Sequence, residues 1–380
     1  EIYNYFETVA RRFGLMEAIR FNQEVSSCAF ENGRWRIETK GGIVDHADVI
    51  IAATGILHHP RYPDIDGLAS FAGASFHSAR WDHSVPLDGK RIGVVGNGSS
   101  GIQIVSALAS RAAELTHFQR TAQWIMKVEN GYFTEEQRAA WRADPALLQV
   151  LNHDESLFAN LKRFADSVTD ADSPEMKRIA DACLDNLEQS VRDPVLKEKL
   201  RPNYRAVCKR LVSSPNYYEA IQHPNAALVT ERILRVEPEG VRTEEGALHA
   251  LDILVLATGF RVDRFMRPMK LTGKNGVSLD DVWAKRPGAY LSVTIPDFPN
   301  LFMINGPSSP VGNFSLIDVA ERQVDYILKL SAHLRDGRCD EINVTRSAME
   351  DYDRRRIDAA KRTVWSSGCK SWYLNDRGKN

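Results

Sequence analysis

The chain has 380 residues, with 49 Lys and Arg against 50 Asp and Glu, giving a formal net charge of -1 and a pI of about 6.9. That balance supplies no global field for nucleic acid or an anionic membrane; it points to small-molecule partners, and the length allows two domains. No run approaches the ~18 apolar residues of a membrane span and no charged leader opens the chain, so the expectation is a cytoplasmic protein of unknown oligomeric state.

Ile2, Phe6, Val9 and Ala10 recur at helical spacing within Glu1–Arg12, and a chain that opens on Glu1 already inside a helix reads as the middle of something longer. Glu24-Val25 and Arg34-Trp35-Arg36-Ile37, before Gly41-Gly42, predict a β-ribbon with Gly turns. It feeds the apolar strand Ala47-Asp48-Val49-Ile50-Ile51-Ala52-Ala53-Thr54-Gly55. Much later Arg232-Ile233, Gly240-Val241-Arg242-Thr243 and Gly246 lead into Leu251-Asp252-Ile253-Leu254-Val255-Leu256-Ala257-Thr258-Gly259, which matches the first strand in character at every position. Such a repeat implies a duplicated nucleotide-binding domain, and a phosphate loop for the first copy is expected before Glu1.

Arg91-Ile92-Gly93-Val94-Val95 reads as a buried strand, Gly96-Asn97-Gly98-Ser99-Ser100-Gly101 fits GxGxxG, and Ile102, Val105, Leu108 and Ala112 follow at helical spacing. Gly96 permits the tight turn, Gly98 lets amides approach a pyrophosphate, and Gly101 allows close helix-to-strand packing. At the end of the next strand, where an NAD site offers a carboxylate to the ribose, stand Arg120 and Thr121. A guanidinium and a hydroxyl suit a 2'-phosphate, so the reading is NADPH.

Between Lys127 and Arg210 the only glycine is Gly131, and the Ala-, Leu- and charge-rich composition predicts a helical insertion over 128–207. Leu301–Pro307 reads as a short buried strand ending in a turn, Leu316–Leu334 as an amphipathic helix stopped by Gly337, and Thr345–Val364 as another helix. Cys28, Cys183, Cys208, Cys339 and Cys369 form no CxxC pair and no zinc-type spacing with His, so they read as reduced thiols with no metal site.

Phe71-Ala72-Gly73-Ala74-Ser75-Phe76-His77-Ser78-Ala79-Arg80-Trp81-Asp82 fits FxGxxxHxxxW followed by Asp. Lying between the first Thr-Gly strand and the GxGxxG, it resembles the signature of type I Baeyer-Villiger monooxygenases within the flavin-containing monooxygenase superfamily. Cys208-Lys209-Arg210 resembles that family's Lys-Arg pair, and Ser371-Trp372-Tyr373 its C-terminal motif. The resemblance implies an α/β fold of two Rossmann-like domains. Residues 1–57 and 258–380 would be the two parts of an FAD domain, incomplete at its N-terminus. Residues 58–89 would be a linker carrying the motif, and 90–257 an NADPH domain.

The same resemblance implies a reaction in which NADPH reduces FAD, reduced flavin captures O2, and a C4a-peroxyflavin inserts oxygen beside a ketone carbonyl to give an ester or lactone. Arg210 would stabilise the developing negative charge. Lys209 would join Arg120 on the 2'-phosphate, Trp372 would line the pocket, and His77 would act at the domain hinge. Thr54, Gly55, Thr258 and Gly259 would lie against the cofactors. Sulfur or nitrogen oxygenation and a non-catalytic NADPH-binding fragment are the alternatives. Without a first FAD loop, this chain alone is expected to retain flavin poorly and to oxygenate little.

Overall fold

The structure, a computed structural model, describes residues 2–129, 131–147, 155–309, 315–369, 371 and 373–374. The chain divides into two compact units. One comprises 1–55, 263–309 and 317–353, and the other 56–262, 310–316 and 354–380.

In the first unit, Val25–Glu31, Arg34–Thr39 and Val44–Ala47 form the expected antiparallel ribbon, and Lys270–Thr272 adds to its edge in parallel. Trp35 is fully buried, with its indole N–H donating to Pro299 O at 2.9 Å, which ties the ribbon to the turn before Leu301–Met303. The strand Ile50–Ala52 pairs in parallel with Leu301–Met303. It is only part-buried, with Ile51 48 % exposed, because it has one partner strand among the described residues. The opening helix runs Ile2–Arg12 with no buried residue, leaving Ile2, Tyr3, Tyr5 and Phe6 exposed. The helix Leu316–Arg335 ends at Gly337, whose φ of 65° lets Arg338 N–H reach back to His333 O.

The second unit is built on a five-stranded, wholly parallel sheet in the order Ala226–Val229, Glu114–Phe118, Arg91–Val95, Ile253–Leu256, Ala74–His77. From Arg91–Val95 the chain moves outward one way through Glu114–Phe118 to Ala226–Val229, while Ile253–Leu256 lies on the other flank. The carboxyl end of Arg91–Val95 is therefore a topological switch point, where a parallel sheet opens a crevice for a ligand. A parallel sheet covered on both faces needs apolar side chains both ways, and Ile253, Leu254, Val255 and Leu256 are all buried. The expected second ribbon is Ile233–Glu237, Gly240–Thr243 and Leu248–Ala250. The segment 58–89, expected as a linker, contributes its own edge strand Ala74–His77 to this sheet.

Helices Glu135–Ala143, Glu155–Thr169, Pro174–Ser190 and Pro194–Lys199 follow the sheet's first half. Thr134 and Gln137 close a capping box, while Ser173 and Asp193 cap helices that begin at proline. Their core, with Trp124, Met176, Cys183, Val207 and Cys208, also takes in Val364 from the turn Val364–Ser367.

Candidate functional site: the phosphate loop and its basic neighbours

The loop leaves the strand at Gly96, whose φ of 105° lies in the region that only glycine adopts without strain. A Cβ at Gly96 would strike Ala257 O, and one at Gly101 would strike Gly96 O, so the helix Ser99–Leu108 closes directly onto strand ends Val95 and Ala257. Around Gly98 a Cβ would meet nothing within 4 Å. That open space lies at the N-terminus of the helix, the end of a helix that favours an anion.

Side chains beneath the loop hold it in place. Asn97 Nδ2 donates to Gln119 Oε1 at 3.1 Å and to Thr121 O at 2.6 Å, and Gln119 in turn donates to Lys199 O at 2.8 Å. His117, fully buried, reaches Gly96 O with Nε2 at 3.1 Å and the Tyr217 hydroxyl with Nδ1 at 3.0 Å. Sequence reading missed His117 and Gln119. The available signal was a histidine among the apolar positions of a strand and a glutamine just past its end.

Arg120 is exposed at the end of Glu114–Phe118, with Thr121 beside it. Lys209 is half-buried, with its Nζ 4.4 Å from the centre of the Tyr204 ring. Burial, and then the charge of Arg120, hold the Lys209 ammonium below its ordinary pKa. Two like charges that repel each other are relieved when an anion joins them, which makes Arg120 and Lys209 a candidate phosphate clamp. Arg210 follows, exposed. Val207, three residues before it, has φ 64°, a strained conformation for a β-branched residue, of the kind that clusters at functional turns.

His77 ends the strand Ala74–His77 and is fully buried. Nδ1 accepts from Ala79 N–H at 3.0 Å, so the proton sits on Nε2, which donates to Gly259 O at 3.0 Å. Tyr62 and Phe260 pack on the ring, and burial lowers its pKa. Both nitrogens are thereby committed to backbone, and the motif's histidine fixes the turn after the second Thr-Gly strand. At that turn Thr258 Oγ1 donates to Arg61 O at 2.6 Å, and Gly259 has φ 82°. Thr54 and Gly55, the latter at φ 69°, belong to the other unit. Trp372 lies outside the described residues.

Trp81 of the motif and Ser100 of the loop helix share the wall of an open cavity of about 700 Å³, with His83, Gln103 and Arg111. The expectation of five reduced thiols is corrected: Cys208 and Cys369 are joined by a disulfide with a Cα–Cα distance of 6.2 Å. The bond closes because the turn Val364–Ser367 packs into the insertion's core next to Cys208. Cys28, Cys183 and Cys339 are free.

Residues 1–133 match the family model for pyridine nucleotide-disulphide oxidoreductase. An uncharacterized monooxygenase of Mycobacterium tuberculosis is 45 % identical over 378 residues, covering 100 % of this chain and 76 % of that protein. A Baeyer-Villiger monooxygenase of Streptomyces coelicolor is 34 % identical over 381 residues, covering 99 % of this chain and 72 % of its own length. The chain belongs to the Baeyer-Villiger monooxygenase family. Among solved structures, OTEMO in complex with FAD and NADP superposes with a TM-score of 0.88 at 27 % identity, covering 100 % of this chain and 79 % of that one. The α/β class and its parallel Rossmann-type sheet are those of the family. Among the described residues no helix is long and apolar enough to cross a membrane.

Proposed function

We propose that the protein is an NADPH- and FAD-dependent monooxygenase that inserts one oxygen of O2 beside a ketone carbonyl, giving an ester or lactone. The observation that carries the reading is the convergence of Arg120 and Lys209 beside the GxGxxG loop, with Arg210 next in the chain. The open space at Gly98 fits the pyrophosphate of NADPH, and the two cations fit its 2'-phosphate.

A bound flavin would supply O2 activation, and the nicotinamide of NADPH would supply the two electrons that reduce the flavin. The chain's own residues bind and orient. Gly96–Gly101 present amides to the pyrophosphate, Arg120, Thr121 and Lys209 take the 2'-phosphate, and His77 holds the Gly259 turn. Arg210 offers a planar set of donors to negative charge developing on the substrate oxygen. Thr54, Gly55, Thr258 and Gly259, at the ends of the repeated strands, would lie along the cofactors. Residues 1–57 and 258–380 are read as the two parts of the FAD domain, 58–89 as the linker and 90–257 as the NADPH domain.

The test is NADPH oxidation by the flavin-loaded protein with and without a cyclic ketone, with product mass determined. Ketone-dependent NADPH loss with a product heavier by one oxygen supports the reading. Conversion of thioethers alone moves the assignment to sulfur oxygenation, and a protein that binds NADPH without flavin sinks the monooxygenase mechanism.

A further inference from the structure

His117 is a fully buried side chain that touches the phosphate loop from below at the Gly96 carbonyl, and its two nitrogens face in different directions. Gly96 O can only accept, so the proton of the neutral ring sits on Nε2, and Nδ1 must accept from the Tyr217 hydroxyl. Burial pushes the imidazolium pKa down to about 4, so the ring is neutral under ordinary conditions and this arrangement is fixed. Tyr217 is itself buried, and its backbone N–H is held by Ser214 Oγ at 3.2 Å. Ser214 ends the short strand Val212–Ser214 that begins just after Lys209-Arg210 and pairs with Ile125–Lys127. One buried chain therefore runs from Gly96 O through His117 and Tyr217 to Ser214, and it joins the loop to the segment that carries the two basic residues.

We propose that His117 is a positioning residue for NADPH: it sets the phosphate loop against the Lys209–Arg210 segment, so that pyrophosphate and 2'-phosphate are engaged together. The inference rests on the NADPH reading above. His117 is fully buried with both ring nitrogens committed to protein partners, so its effect falls on nucleotide affinity and not on the chemical step. A buried carbonyl left without its donor shifts or recruits water, and the loop moves with it.

Asparagine and glutamine at this position separate the two contacts. The Gln amide reaches as far as imidazole Nε2 and can still donate to Gly96 O, whereas the Asn amide stops near Nδ1 and cannot. In the flavin-loaded protein, His117→Asn is expected to raise the NADPH KM on the order of 10-fold with kcat within about twofold, while His117→Gln stays within about threefold of wild type. Tyr217→Phe, which preserves shape, is expected to raise KM by about threefold to 10-fold and serves if either His117 variant fails to fold. Unchanged KM in both His117→Asn and Tyr217→Phe, or equal KM effects in the Asn and Gln variants, would overturn the proposal. A wild-type protein that fails to bind NADP+ would instead overturn the nucleotide reading on which it stands.

Discussion

Arg91 and Asp252 clamp the starting ends of the two central strands. The Asp252 carboxylate takes the Arg91 backbone N–H at 2.8 Å and one guanidinium nitrogen at 2.7 Å. Asp48, its counterpart in the first copy of the repeat, takes Arg34 of its own ribbon instead, at 2.7 Å. The duplicated aspartate has thus kept its place and changed its partner, and only the second copy uses it to join strands of a parallel sheet.

The Arg91 contacts hold the Asp252 carboxyl at about 2, below its ordinary value. A depressed folded-state pKa contributes stability that is present above the unfolded value near 4 and is lost as pH falls toward 2. Because the pair is over a third exposed, solvent screening limits the contribution to about 1 kcal/mol. Asp252→Asn should therefore unfold in urea at lower concentration than wild type at pH 7, and the two should converge near pH 2. A constant gap across that range would contradict the assignment.

Gly98 and Gly101 should respond differently to alanine. At Gly101 the new methyl meets the Gly96 carbonyl, so thermal stability should fall, by about 2 kcal/mol or more, along with nucleotide binding. At Gly98 the methyl meets no protein atom, so the fold should survive while NADP+ affinity falls, because the space belongs to the pyrophosphate. Paired calorimetric titrations and melting curves on the two variants check this.

Replacing the clamp should change cofactor choice before it changes anything else. Arg120→Gln and Lys209→Met are each expected to raise the KM for NADPH by about 10- to 100-fold, as the loss of a charge-assisted hydrogen bond requires, and to leave that for NADH nearly unchanged. Initial rates with both nucleotides measure the ratio, and a parallel loss with NADH would assign these side chains a structural role.

Arg210→Ala should leave NADP+ binding within a few-fold of wild type and lower ketone oxygenation on the order of 100-fold or more, the scale of removing an electrostatic stabiliser of developing charge. Arg210→Lys should recover only part of it, because an ammonium does not reproduce the planar donor set. If both variants oxygenate at the wild-type rate, the charge-stabilising role belongs elsewhere.

Local pattern carried much of this molecule. The Gly96–Gly101 turn, the twin Thr-Gly strands with their ribbons, and the helices opening at Ile2 and Leu316 were all legible because each is a short-range device with a fixed period or a required glycine. The contacts that were not legible join distant parts of the chain. His117 finds Tyr217 only once the sheet brings them together, and Cys208 finds Cys369 only because Val364 seats the tail against the insertion. The strand Ala74–His77 escaped notice for another reason: it is four residues long at a sheet edge, and its Ala-Ser-Phe-His sequence shows too little alternation to separate it from a loop.

The bond between Cys208 and Cys369 spans a sequence separation of 161 residues and makes that stretch a covalent ring. A protease that cuts the ring once opens it without releasing a piece, so the product migrates as a single particle until reductant divides it in two. The same ring narrows the ensemble available to the unfolded chain, and that favours the folded state however the cut is placed outside it. Arg210 lies just inside one end of the ring. A nick anywhere between Arg210 and Cys369 would therefore leave the basic segment still tethered to the tail that packs beside it.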